Sequence, residues 1–134
     1  MKNRKSEYAR INAEWLQKKS EEPGVSRLPG GVLYKVIESG DPAGKHPVDS
    51  SVVTVKYSGH TIDGHEFDNS GTVGPPAFRL RDLIEGWIIA LKSMVPGDEW
   101  EIYIPADKAY GKYGQPGIPA NSTLIFRLTL LSVM

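Results

Sequence analysis

The chain has no cysteine, so no disulfide staples it and no thiolate holds a metal. It has no excess of either charge, with sixteen Lys and Arg against sixteen Asp and Glu. That balance gives no overall pull toward nucleic acid or an anionic membrane, and neither is expected as a partner. No run nears the eighteen or so apolar residues of a membrane span. The first residues, MKNRKSEYAR, are charged and lack an apolar leader. On this reading the chain is expected in the cytoplasm, or in the periplasm if a leader has been trimmed. Histidine is scarce. His46, His60 and His65 fall on turns or strand ends, without helical ligand spacing or an acidic cluster, so no metal is expected.

Two apparent motifs also fail. SGDPAGKH superficially resembles a phosphate loop, but only Asp41, Pro42 and Ala43 separate Gly40 from Gly44, and His46 follows Lys45 in place of Ser or Thr. Ser58-Gly59-His60 lacks the glycine flanks of a nucleophile elbow. Asn121-Ser122-Thr123 fits a glycosylation sequon, although a polar turn entering a strand is the simpler reading.

What is present is patterning. Residues 5–20 place Tyr8, Ile11, Trp15 and Leu16 on one narrow helical stripe. Such a helix is marginal alone. It is expected either to pack back on its own domain or to form a homodimer contact through Trp15 and Leu16. Pro23-Gly24 and Pro29-Gly30-Gly31 break the pattern, dividing an N-terminal extension (1–27) from the body (28–134). In the body, strands are expected at 32–37, 51–58, 65–68, 77–80, 100–105 and 123–133. Val53, Val55 and Tyr57 share one face, as do Trp100, Ile102 and Ile104, and Leu124, Phe126, Leu128 and Leu130. Residues 83–95 form the one helix of the body, with Ile84, Trp87, Ile88 and Leu91 at i, i+3, i+4 and i+7. Hairpin-joined strands and a single covering helix define an α+β fold with an antiparallel five- to six-stranded sheet.

The aromatic residues are spread over nearly every element of the body. Phe78 suits a core role. Trp87, beside Gly86 at the helix start, suits either the core or the floor of a cavity. Tyr110 and Tyr113 lie on a Gly/Pro loop, where burial as core is hard to arrange. A concave apolar pocket lined by these rings is one reading and a filled core the other.

VKYSGHTIDGHEFDNS, LIEGWIIALKSMVPGDEWEIYIPADKAYGKYG and GIPANSTLIFRLTLLS resemble an FKBP-type peptidyl-prolyl cis-trans isomerase, from about residue 28 to the C-terminus. Within that family the chain is most similar to bacterial members with a short N-terminal helical extension. The resemblance implies a sheet wrapped around one short helix, with a hydrophobic cavity between them. It implies Tyr57, Phe67 and Asp68 on one wall, Leu83 and Ile84 at the rim, Trp87 as the floor and Phe126 at the back. Tyr110 and Ile118 come from the loop. Tyr57, Asp68 and Tyr110 carry the catalytic roles in that assignment, and no cofactor is implied. The implied partners are proline-containing polypeptides and a macrolide of the FK506 type. Departures bear on the macrolide. The NSGTVGPP loop has no arginine to meet the aspartate, Ala77 replaces an aromatic, and Gln115 stands where some eukaryotic members have a histidine in a loop one residue longer. A domain that binds chains without turnover is the competing function. The presence of Tyr57, Asp68, Trp87, Tyr110 and Phe126 together favours the enzyme.

Overall fold

The computed structural model describes residues 4–71 and 74–134. Thr72 and Val73, in the arginine-free NSGTVGPP loop, lie outside them. The strands form one seven-stranded antiparallel sheet. Its strands are β1 (Val25–Arg27), β2 (Leu33–Glu38), β3 (Val52–His60), β4 (Glu66–Asn69), β5 (Ala77–Arg79), β6 (Glu99–Ile104) and β7 (Leu124–Val133). The order is β1-β2-β6-β7-β3-β4, with β5 also paired to β3. β4 meets the His60 end of β3 and β5 meets its Val52 end. The seventh strand is β1, which the sequence pattern left in the boundary region. It pairs Val25, Ser26 and Arg27 with Lys35, Tyr34 and Leu33.

The alternation seen in the sequence becomes the core. Val53, Val55, Ile102, Ile104, Leu124, Leu128 and Leu130 are fully buried. They pack against α2 (Glu85–Leu91), which contributes Trp87, Ala90 and Leu91. This helix is shorter than its apolar period suggests. Ile84 is extended (ψ 150°) and serves as its N-cap, and tight turns at Ser93 and Met94 lead into Pro96. Gly86 sets how closely α2 approaches the sheet, because a Cβ there would run into the Ile104 side chain.

The opposite face of the sheet carries α1 (Arg4–Ser20). Leu33, Tyr103 and Ile125 form a second apolar cluster, covered by Trp15, Leu16, Val25 and Ile62. Trp15 lies 5.9 Å from Tyr103, and the Lys19 ammonium sits 5.0 and 5.2 Å from those two rings. Trp15 and Leu16 therefore meet their own sheet. Ile11, assigned to the buried stripe from the sequence, is 42% exposed, while Asn12 is 2% exposed. The helix is rotated so that Asn12, between Tyr8 and Leu16, faces the body. Among the described residues no helix is long and apolar enough to cross a membrane.

Candidate active site

Five rings meet edge to face between α2 and the sheet. Trp87 lies 5.0 Å from Tyr57 at 80°, 5.1 Å from Phe126 at 86° and 6.2 Å from Phe78 at 85°. Phe67 meets Phe126 at 5.5 Å and 85°. Such pairs align the positive edge of one ring with the negative face of another, adding roughly 0.5–1.5 kcal/mol each beyond burial. A missing side chain makes the arrangement fit. Gly59 of β3 pairs with Phe126 of β7, and a Cβ on Gly59 would strike the rings of both Phe126 and Phe67.

All of these rings but Phe78 border a half-open cavity of about 150 Å³, lined by Tyr57, Phe67, Asp68, Asp82, Leu83, Ile84, Trp87, Tyr110 and Phe126. Eight of the nine residues assigned from the sequence thus come together. Ile118 does not line the cavity; it is 7% exposed and packs in the apolar core. Asp82 was missed. It ends a short 3-10 turn (Leu80–Asp82) ahead of α2, and no periodic pattern marks such a turn. Phe78, assigned to the core, packs on Trp87 from outside the lining set.

The polar groups are few. The Tyr57 hydroxyl donates to Asp68 Oδ2 at 2.9 Å. The Tyr57 backbone exchanges bonds with Ser70, whose hydroxyl accepts from Tyr57 N–H at 3.1 Å and whose N–H donates to Tyr57 C=O at 2.8 Å. This locks β3 to the segment that carries Phe67 and Asp68. Burial, and then the bond to Asp68, push the Tyr57 phenol up to about 12. Tyr110 is also raised, by burial and then by the nearby Asp68 charge, so both phenols stay protonated and can donate. No cation pairs with Asp68 among the described residues. Trp87 Nε1 is the one buried side-chain nitrogen or oxygen without a partner among them, and the Ile84 N–H at the rim also makes no bond there. No group of three or more His, Asp or Glu suited to a metal occurs among the described residues.

The family model for FKBP-type peptidyl-prolyl cis-trans isomerases matches residues 43–131. The chain belongs to that family. It is 47% identical over 121 residues to the FKBP-type peptidyl-prolyl cis-trans isomerase FkpA of Escherichia coli K12, covering 90% of this chain and 44% of that protein. It is 47% identical over 113 residues to the peptidyl-prolyl cis-trans isomerase Mip of Coxiella burnetii, covering 83% and 48%. The chain thus spans about half the length of these curated relatives. Among solved structures, a peptidyl-prolyl cis-trans isomerase of Pseudomonas syringae superposes with a TM-score of 0.90 at 30% identity, covering 99% of this chain and 98% of that one. The E. coli FkpA structure gives 0.89 at 43% identity, covering 96% and 60%.

Proposed function

We propose that the chain catalyses cis-trans isomerisation of Xaa-Pro bonds in polypeptides, with its site in the aromatic cavity. The carrying observation is the cage itself, a half-open cavity of about 150 Å³ walled by five rings with a few donors at its rim. That is well below the roughly 300–1,000 Å³ of drug-sized ligand sites. It suits one prolyl ring, with the rest of a peptide or an FK506-type macrolide lying outside.

An Xaa-Pro amide has cis and trans forms of similar energy separated by a barrier of roughly 18–20 kcal/mol, mostly lost resonance. At the transition state the amide is twisted and less polar than the planar ground state. An apolar cage therefore favours the twisted form by withholding water from the planar one. Trp87, Tyr57 and Phe126 hold the ring. The free Ile84 N–H and the Tyr110 hydroxyl donate to the substrate carbonyls on either side. Asp68 acts through Tyr57, fixing its hydroxyl and adding a field near the twisting bond. No bond is made or broken, so the residues only bind, orient and exclude water. A 10⁴-fold acceleration needs about 5.5 kcal/mol of such preference. Residues 28–134 form the isomerase domain in this reading and residues 1–27 its extension.

Relaxation of an Xaa-Pro tetrapeptide from cis to trans tests the proposal, with wild type beside Trp87→Leu and excess FK506 as a competitor. Acceleration that falls in the variant and under competition supports it. A folded wild type that leaves the relaxation rate unchanged rules it out for such peptides.

A further inference from the structure

We propose that Asn12, on the N-terminal helix, is a positioning residue for the loop that brings Tyr110 to the cavity; this rests on the isomerase reading above. Asn12 is buried and bonded in both directions. Its Nδ2 donates to Tyr8 C=O at 2.8 Å, and its Oδ1 accepts from the Thr123 N–H at 2.8 Å. The Thr123 hydroxyl donates to Asn12 C=O at 3.3 Å. One residue earlier, the Ser122 hydroxyl donates to Pro119 C=O at 2.7 Å, so the Tyr8 hydroxyl, 3.0 Å away, is the donor to Ser122. Helix and loop are more than a hundred residues apart in the chain and share three hydrogen bonds.

Packing alone does not call for an asparagine here. Asn is a poor residue for a helix interior, and a buried amide is costly unless fully bonded. Trp15 and Leu16 already attach the helix to the sheet. What Asn12 adds is an acceptor where the sheet has none. The β6–β7 ladder begins at Leu124, opposite Ile104, so the buried Thr123 N–H lies just beyond it.

From Thr123 the restraint runs back to the site. Asn121 holds a left-handed conformation (φ 66°), and its N–H donates to Gly111 C=O at 2.8 Å. Gly114 N–H donates to Tyr110 C=O at 3.1 Å, Gln115 and Ile118 exchange two bonds, and Gly111 N–H donates to Ala106 C=O. The loop is thus one hydrogen-bonded unit with an anchor at each end. The first is the Ala106 turn and the second is Asn12. Releasing the second lets Tyr110 drift, and displacements near 1 Å can cost catalysis heavily.

The test measures kcat/KM on an Xaa-Pro tetrapeptide with fully folded Asn12→Ala, Asn12→Asp and Tyr8→Phe, together with amide hydrogen exchange at Gln115, Ile118 and Thr123. Asn12→Ala is expected to lower kcat/KM about tenfold and to speed exchange at all three amides. Tyr8→Phe, which keeps the buried amide, gives a smaller loss in the same direction and serves if Asn12→Ala does not fold. A carboxylic acid offers the same donor and acceptor as an amide, so Asn12→Asp should recover activity at pH 5 and lose it at pH 8. A purely structural Asn12 would lower the melting temperature and leave kcat/KM of the folded protein unchanged, and that result overturns the proposal. If wild type itself fails to accelerate the peptide, the isomerase reading is at fault, and the exchange rates still decide whether Asn12 holds the loop.

Discussion

The hydroxyl of Tyr57 on β3 donates to the carboxylate of Asp68 on β4 at 2.9 Å, within the wall of the aromatic cavity. The phenol is partly buried and the carboxylate exposed. The bond therefore orients Tyr57 more than it stabilises the fold. Tyr57→Phe is expected to cost about 1 kcal/mol of stability, the usual net worth of one hydrogen bond. Both Tyr57→Phe and Asp68→Leu should slow isomerisation. If Asp68 acts through Tyr57, the double variant loses little more than the worse single one. Losses that multiply in this double-mutant cycle would show two independent roles.

Trp87 carries a buried N–H without a partner. Replacing it with Phe leaves a void, costing of order 1–2 kcal/mol. It also removes an unsatisfied donor that costs about 1–3 kcal/mol where it stands. The two effects oppose each other, so Trp87→Phe should unfold within about 1 kcal/mol of wild type in urea. Trp87→Leu lacks a ring face and should lose tenfold or more in kcat/KM. Wild-type activity in a folded Trp87→Leu would remove this residue from the site.

Stability should fall in alkali. The folded Tyr57 phenol is raised from the ordinary value of 10 to about 12, and Tyr103 is also raised, by burial and then by its bond to Glu101. Between the unfolded and folded values the native protein holds protons that the unfolded chain has released. Stability is therefore full below pH 10 and declines as pH rises through 12. Urea midpoints at pH 9, 10.5 and 11.5 measure this, and Tyr57→Phe should flatten the decline. An equal slope in that variant would assign it to other groups.

Gly86→Ala sets helix propensity against packing. An Ala in a helix gains about 1 kcal/mol over Gly. The new Cβ, however, meets three carbons of the fully buried Ile104, and overpacking costs typically 1–3 kcal/mol. A net destabilisation of about 1 kcal/mol is expected by thermal unfolding. The same substitution beside Ile104→Ala should be neutral or stabilising. If it costs the same in both backgrounds, Ile104 is not the obstacle.

Much of the fold can be read along the chain because its signals are local. Alternation in residues 52–57, 100–104 and 124–130 marks the faces that turn to the core, and the spacing of Ile84, Trp87 and Leu91 marks the helix that covers them. The ordered motifs around Tyr57, Asp68, Trp87 and Tyr110 were enough to gather eight of the nine cavity residues in advance.

Tertiary structure alone decided the rest. Ile11 and Asn12 both border the apolar stripe of α1, and propensity favours burying the isoleucine. The helix instead turns Asn12 inward, because the surface it meets offers an unpaired Thr123 N–H that only a polar acceptor can satisfy. Ile118 sits in the core and Asp82 at the cavity, since a hydrogen-bonded loop and a 3-10 turn aim their side chains by contacts with distant strands. Periodicity reports neighbours within a turn or two of the same element. Which side of a boundary residue faces inward is set by partners far away in sequence, and those partners exist only once the sheet has formed.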